Sequence, residues 1–346
     1  MKIFTFQRAA SGRAGPMFVE AEAATPVPGP TDLLVRVEAV SINPVDTKVR
    51  TGLVPVPDTV DVLGWDAAGT VVACGTEVML FRPGDAVFYA GTFTRPGANP
   101  ELHLVDERMV GMKPASLGFA EAAALPLTSL TAWQLLFDRF QIPIAKDFGG
   151  GSLVVIGGAG GVGSILIQLA RRLTGLTIIA TASRPDSRDW CLRMGAHHVI
   201  DHTRSLPEQV AALNVPSVDY VASLTHTDTH LPAIAEIIAP QGKVGAIDDH
   251  DALDVALRKT KSVSFHWEMV FTRPLFATPD LVRQHRILNE VSAFIDAGVL
   301  RSTATRFLAP FSIESFETGH RLVEQGGGYG KVVVSRTAAS QATAAN

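Results

Sequence analysis

A run of glycines set between an apolar strand and an apolar helix restricts this chain more than any other feature. Gly157-Gly158-Ala159-Gly160-Gly161-Val162-Gly163 follows Leu153-Val154-Val155-Ile156 and precedes Ser164-Ile165-Leu166-Ile167-Gln168-Leu169-Ala170. Gly158, Gly160 and Gly163 fit G-x-G-x-x-G. Such a turn needs glycine so that the backbone can bend tightly, admit a pyrophosphate and let the helix pack on the sheet. The helix N-terminus adds free N–H groups and the positive end of its dipole. Strand, glycine turn and helix in this order predict a dinucleotide site formed by Gly158, Ala159, Gly160, Gly161, Val162 and Gly163. The competing reading is a glycine turn in an ordinary α/β unit.

The middle of the chain carries that pattern further. Strands are expected at Leu153–Ile156, Thr177–Ala182, His198–Asp201, Val218–Ser223, Lys243–Ile247 and Val263–His266. Helical patterns at Val162–Leu173, Ser187–Met194, Leu206–Leu213 and Thr229–Ile238 fall between the earlier ones. The fold class is α/β, with a doubly wound parallel sheet. Up to about residue 115 the chain instead shows short alternating strands split by Gly and Pro, which suggests an antiparallel barrel-like β domain. A helix is expected to open at Thr278 with Pro279 in its first position and to run to about Ala297. A strand (Ser302–Phe307), a helix (Ile313–Glu324) and a last strand (Lys331–Ser335) follow. This end should return to the first domain, giving residues 1–127 and 272–346 in one domain and 128–271 in the other. The Ala, Ser and Thr-rich tail from Arg336 is expected to lack order.

Composition removes several classes of function. A chain of 346 residues with 47% hydrophobic and 18% charged content is a globular protein of about two domains. A net charge of -4, with no basic run, argues against nucleic acid or an anionic membrane as partner. No apolar stretch reaches the length of a membrane span, and the N-terminus does not read as a signal peptide; a cytoplasmic protein is expected. Two cysteines, Cys74 and Cys191, exclude a disulfide framework and a four-cysteine zinc site. The ten histidines are scattered and read as solvated or core residues.

Cofactor choice is legible at the end of the second strand. An NAD site usually places Asp or Glu there, about twenty residues past the glycine turn. This chain has Thr181-Ala182-Ser183-Arg184. A serine hydroxyl and a guanidinium suit a 2′-phosphate, so NADPH is expected over NADH; Asp186 nearby keeps the weaker-selectivity reading alive. His202, after the third strand, is a further candidate. At the same carboxyl edge, Leu224 and Thr225 end the fourth strand, and Ala246, Ile247 and Asp248 end the fifth.

Five segments in this order resemble the medium-chain dehydrogenase/reductase superfamily. They are Ser41–Asp46 (SINPVD), Gly64–Gly69 (GWDAAG), Pro83–Val87 (PGDAV), Thr128–Trp133 (TSLTAW) and the glycine turn. Within it the chain is most similar to the zinc-independent quinone oxidoreductase-like branch, often labelled zinc-type alcohol dehydrogenase-like. The resemblance covers about residues 1–335 and implies a GroES-like β-barrel catalytic domain interrupted by a Rossmann domain. Zinc alcohol dehydrogenases carry a cysteine ligand where this chain has Asn43, and a histidine where it has Trp65. Neither Asn nor Trp is a normal zinc ligand, so no metal is expected. Oxidation of unactivated alcohols, which needs a Lewis acid, is therefore disfavoured. A quinone or α,β-unsaturated carbonyl already accepts hydride and needs only hydrogen-bond donors. The matched motifs make Asn43, Tyr89 and Thr131 the candidate catalytic residues. Asp46, Trp65 and Phe271 would line the substrate pocket, although Asp46 could instead bind Lys48 or Arg50. The resemblance also implies a homodimer through the edge near Val263–Trp267. A zinc alcohol dehydrogenase and a non-catalytic NADPH-binding sensor or structural protein are the competing functions.

Overall fold

The computed structural model describes residues 1–6, 17–147, 150–215, 217–250 and 252–337. The chain divides into two compact units. One comprises Met1–Leu130, Phe271–Gly327 and the described part of Lys331–Asn346; the other comprises Thr131–Val270 and Gly328–Gly330.

In the first unit, β1 (Lys2–Phe6) and β2 (Phe18–Glu22) form an antiparallel pair, and β3 (Asp32–Ile42) runs through the centre of the main sheet. Helix α1 (Pro44–Arg50) follows β3, with Asn43 as its N-cap. Then come β4 (Ala67–Cys74), β5 (Ala86–Tyr89), β6 (Leu102–Asp106) and β7 (Val110–Met112). Short helices α2 (Phe119–Ala123) and α3 (Pro126–Trp133) lead out of this unit. Strand β3 is apolar and buried along most of its length, with only Arg36 exposed and Glu38 half-buried, because it is covered on both faces rather than alternating between core and solvent.

The second unit is the α/β domain that the sequence predicts. Its strands are β8 (Ser152–Ile156), β9 (Thr177–Thr181), β10 (His198–Ile200), β11 (Val218–Ser223), β12 (Ile238–Ala246) and β13 (Ser264–Trp267). All pair in parallel, in the order β10-β9-β8-β11-β12-β13. Helices α4 (Gly161–Leu173), α5 (Pro185–Met194), α6 (Leu206–Ala212) and α7 (Thr227–Ile237) connect them. Val154, Ile179, Ile200, Val221, Ile234 and Val244 are among the residues of one buried cluster between strands and helices.

The chain then returns to the first unit through α8 (Thr272–Leu275), α9 (Arg283–Asp296), β14 (Ala304–Leu308), α10 (Ile313–Gln325) and β15 (Lys331–Ser335). Strand β15 pairs antiparallel with β3, Val332 opposite Ile42 and Ser335 opposite Ala39. The helix expected at Thr278 begins only at Arg283. Asp280 accepts hydrogen bonds from the Thr278 hydroxyl (2.7 Å) and Arg273 Nε (2.9 Å), and the N–H groups of Leu281 and Arg283 reach back three residues. Residues 278–282 are therefore held as turns. From residue 338 the tail expected to lack order lies outside the described residues.

Candidate functional site

The glycine turn of the second unit has the shape its sequence requires. Gly157 adopts φ +80°, and its N–H donates to Thr181 Oγ1 at 3.1 Å; the Gly158 N–H donates to Thr181 O at 3.2 Å. A Cβ at Gly163 would lie 2.5 Å from Gly157 O and 2.6 Å from Gly158 O, so only glycine allows α4 to start so close to the turn. At Gly160, the N-cap of α4, an added Cβ would meet only Gly157 O at 3.5 Å. That open approach, beside the N-terminus of a thirteen-residue helix, fits a pyrophosphate. Behind the turn, Ser164 Oγ donates to Gly160 O at 2.7 Å and accepts from Trp190 Nε1 at 2.8 Å. Trp190 lies against Tyr329, ring centroids 5.0 Å apart, and the Gly330 N–H donates to Ala159 O at 2.9 Å. No motif in the sequence marks Trp190, Tyr329 or Gly330 for this place.

The other expected cofactor residues all lie at the carboxyl edge of this sheet. Ser183 and Arg184 follow β9; Arg184 is exposed and is the N-cap of α5, its N–H donating to Ser187 Oγ at 3.3 Å. Asp186 is exposed in the first turn of that helix, one of the places where a carboxylate meets a helix dipole favourably. His202 follows β10 and is half-buried, with Nδ1 buried and lacking a hydrogen-bond partner among the described residues. Leu224 and Thr225 follow β11, and Thr225 Oγ1 is 2.7 Å from His226 Nδ1. At the end of β12, Ala246 is buried and Ile247 half-buried. Asp248 accepts from the Thr227 N–H at 2.9 Å and from its hydroxyl at 2.5 Å, and lies 2.9 Å from His250 Nε2. Thr131, the first residue of the unit, is buried.

In the first unit the structure gathers a buried polar cluster of which the sequence revealed only part. Asn43, Asp46, Asp66 and Lys331 are all at most 4% exposed. Lys331 Nζ donates to Ile42 O at 3.1 Å and to Asn43 Oδ1, and lies 3.3 Å from Asp66 Oδ2. Asn43 Nδ2 donates to Asp66 Oδ2 at 3.1 Å and to Ser41 O at 3.3 Å. A lysine can only donate and a carboxylate can only accept, so this pattern fixes which end of the Asn43 amide faces which partner. Asp66 Oδ1 accepts from the Leu127 N–H at 2.9 Å. Asp46 accepts from the backbone N–H groups of Asn43 (2.8 Å) and Gly64 (3.0 Å); Arg50, one of its expected partners, pairs with Glu324 instead. Burial pushes the Asp46 carboxyl up to about 7, against those N–H bonds and the attraction of Lys331. Burial also raises Asp66 and lowers Lys331, while their mutual attraction opposes both shifts.

Beside this cluster stands an aromatic wall. Trp65 is fully buried, donates from Nε1 to Thr92 O at 3.1 Å, and meets Phe93 and Phe271 edge-on at 6.1 and 6.4 Å. Phe93 and Phe271 meet at 4.6 Å. Tyr89 is buried as well, its hydroxyl 3.0 Å from His103 Nδ1, while His103 Nε2 is 3.0 Å from Pro96 O. The carbonyl can only accept, so His103 carries its proton on Nε2 and Tyr89 donates to Nδ1. Burial lowers His103 to about 4 and raises Tyr89. A cavity of about 160 Å³ lies beside His103, Gly91 and Thr92. Among the described residues, no group of three or more His, Cys, Asp or Glu side chains is placed to hold a metal ion.

Comparison with known proteins agrees with this architecture. Residues 29–134 match the alcohol dehydrogenase GroES-like domain, and residues 194–334 match the zinc-binding dehydrogenase family. A zinc-type alcohol dehydrogenase-like protein of Staphylococcus aureus is 39% identical over 97% of this chain and 100% of its own length. A Rhizobium etli protein named for the zinc-dependent alcohol dehydrogenases superposes with a TM-score of 0.90 at 49% identity, covering 96% of this chain and 98% of its own. The quinone oxidoreductase of Pseudomonas syringae superposes at 0.81 with 25% identity, over 96% and 99%. A dinucleotide-binding α/β unit carried in one chain with a GroES-like unit defines an NAD(P)-dependent oxidoreductase. The chain belongs to the medium-chain dehydrogenase/reductase superfamily, in its quinone oxidoreductase-like branch.

Proposed function

We propose that this protein is an NADPH-dependent reductase of quinones or α,β-unsaturated carbonyls that works without a catalytic metal. One observation carries the reading. The two positions that zinc alcohol dehydrogenases use for metal ligands hold Asn43, whose amide is spent on Lys331, Asp66 and Ser41, and Trp65, whose indole bonds to Thr92. The Asn43 amide oxygen already accepts from a buried ammonium, which would repel a metal ion beside it, and an indole N–H has no lone pair to offer a cation. Ser183 and the exposed Arg184, with no acid between them and the end of β9, support NADPH as the reductant.

The bound dihydronicotinamide would supply a hydride, so that substrate, NADPH and one proton give the hydroquinone or saturated carbonyl and NADP⁺. The chain's own part is to bind, orient and exclude water. Trp65, Phe93 and Phe271 offer an apolar surface suited to a flat conjugated ring. The Lys331–Asp66 pair holds the Asn43 amide in one orientation. Asn43 and Tyr89 donate their hydrogens within the unit, so each would have to exchange a bond to protonate substrate. Solvent is the simpler proton source, and Thr131 is the remaining candidate. The exposed edge strand β13, with Trp267 at 52% exposure, supports a homodimer built by strand pairing.

The test is to analyse purified protein for metal, titrate it with NADPH and NADH, and follow NADPH oxidation over a panel of quinones and enones. NADPH preference, no stoichiometric zinc and turnover on conjugated carbonyls are expected. Stoichiometric zinc with alcohol oxidation would overturn the reading in favour of an alcohol dehydrogenase. Tight NADPH binding with no turnover would overturn it in favour of a sensor.

A further inference from the structure

Behind the glycine turn, a line of side chains from three parts of the chain ends on the backbone of the turn itself. Trp190, in α5, and Ser164, near the start of α4, are both buried. An indole can only donate, and Trp190 Nε1 reaches Ser164 Oγ at 2.8 Å. The serine hydroxyl has one hydrogen to give, and it goes to the turn: Gly160 O lies at 2.7 Å and Ala159 O at 3.3 Å. Gly160 O also accepts from the Ser164 N–H at 2.9 Å, and Ala159 O accepts from the Gly330 N–H at 2.9 Å. Two successive carbonyls of the turn are thus held. In a trans peptide the carbonyl and the following N–H point opposite ways. The peptide that follows Gly160 carries the Gly161 N–H, the first of α4, and the first N–H groups of a helix have no partner inside it. Holding Gly160 O therefore aims the Gly161 N–H toward the place an anion takes at a helix N-terminus. Tyr329 completes the line. Its ring lies on Trp190 with centroids 5.0 Å apart and planes 34° apart, and the Arg193 guanidinium lies 5.5 Å from the centre of the Trp190 ring. The segment at residues 326–330 thus grips the turn twice, through the Tyr329 ring and through the Gly330 N–H, which a left-handed φ of +67° presents.

We propose that Trp190 is a positioning residue for the dinucleotide pyrophosphate: it acts through the Ser164 hydroxyl on the Gly160–Gly161 peptide, and Tyr329 keeps its indole in place. The inference rests on the glycine turn as the dinucleotide site and not on the choice between NADPH and NADH. Neither Trp190 nor Ser164 has to touch the nucleotide. Their work is to fix a backbone donor before the ligand arrives, so that binding does not have to order it. Two consequences follow from the geometry. The pyrophosphate is common to NADPH and NADH, so the brace sets the affinity for both alike and leaves their ratio unchanged. Trp190 reaches the turn by way of one hydroxyl, so its effect on affinity vanishes once that hydroxyl is gone. Two linked hydrogen bonds also polarise one another, which ties the indole bond to the strength of the hydroxyl bond on Gly160 O.

The experiment is a calorimetric titration of the full chain with NADPH and with NADH, accompanied by a thermal melt of each protein, for the wild type, Trp190→Phe, Ser164→Ala, the double variant, Tyr329→Phe and Tyr329→Ala. Trp190→Phe and Ser164→Ala should each weaken both nucleotides by the same factor, about threefold to tenfold, the range set by one buried neutral hydrogen bond. The double variant should bind as Ser164→Ala alone does, because the indole has no other route to the turn. Tyr329→Phe, which keeps the ring, should bind as the wild type does, and Tyr329→Ala should weaken both nucleotides. A Trp190 that only fills space would lower the melting temperature and leave the affinity of the folded protein unchanged, and that result overturns the proposal. So do losses that multiply in the double variant, a loss confined to NADPH, or wild-type affinity in Tyr329→Ala. A wild-type protein that binds neither nucleotide overturns instead the reading of the glycine turn as a dinucleotide site.

Discussion

Lys331 is the residue whose removal the first unit should tolerate least. Its ammonium is 4% exposed and faces Asp66, which is fully buried. Breaking one side of a buried pair leaves an uncompensated charge, at a cost of about 3–5 kcal/mol. Lys331→Met should lower the denaturation midpoint accordingly, and adding Asp66→Asn should recover part of the loss; full stability in the single variant would contradict the pairing. No sequence reading could have joined these residues, because Lys331 and Asn43 are 288 positions apart. Asn43, Asp46 and Trp65 were legible because they lie in short motifs, whereas the lysine beneath them arrives only through strand pairing. His103 has the opposite pH sense to Asp46. An unfolded histidine takes up a proton near 6.5 and the folded one only near 4, so the unfolded state binds more protons between these values. The stability that His103 contributes is present above 6.5 and is lost as pH falls to 4, by about 3 kcal/mol in total. Asp46, raised in the folded state, binds its proton more readily there and gives a contribution that declines as pH rises from 4 to 7. The measurement is therefore a difference: between pH 7 and pH 4.5 the wild-type protein should lose more stability than His103→Gln. Equal losses would mean that His103 is not held neutral.

At the scale of elements, the glycine turn and α4 were readable to within a residue, since local chemistry decides them. The expected Val162–Leu173 helix begins at Gly161, and the expected last strand is β15 to the residue. Gly163→Ala should abolish or greatly weaken dinucleotide binding and lower stability, because the new Cβ would sit 2.5 Å from a backbone oxygen. A Gly163→Ala protein with unchanged nucleotide affinity by titration would refute that geometry. The start of α9 was misjudged for an equally physical reason. Thr278 and Pro279 carry the usual marks of a helix N-terminus, but the Asp280 side chain that would favour a first helical turn is held by Thr278 and Arg273 instead. Side-chain bonds of that kind are invisible to periodicity.

At the scale of the molecule, the edges matter. In the sheet of the second unit β13 is a terminal strand, and Trp267 and Met269 beside it are 52% and 45% exposed. If pairing of this edge assembles the dimer, Trp267→Lys should shift sedimentation toward monomer while leaving nucleotide affinity within about twofold, the scale of an interface change outside the binding residues; an unchanged dimer would place the interface elsewhere. The other sheet meets a different problem, set by the order in which a chain is made. The Ala39–Ile42 end of β3 needs β15 on one side, yet those residues leave the ribosome some 288 positions later. At ordinary synthesis rates the gap is roughly a quarter of a minute to a minute. During that time the second unit can complete its own core, while in the first β3 has β4 along one side and β6 beside Asp32–Arg36 on the other, where its Ala39–Ile42 end waits unpaired. A nascent chain stalled before Lys331 should therefore carry a folded nucleotide domain tethered to a sheet with an open, adhesive edge, the kind of species on which chaperones act.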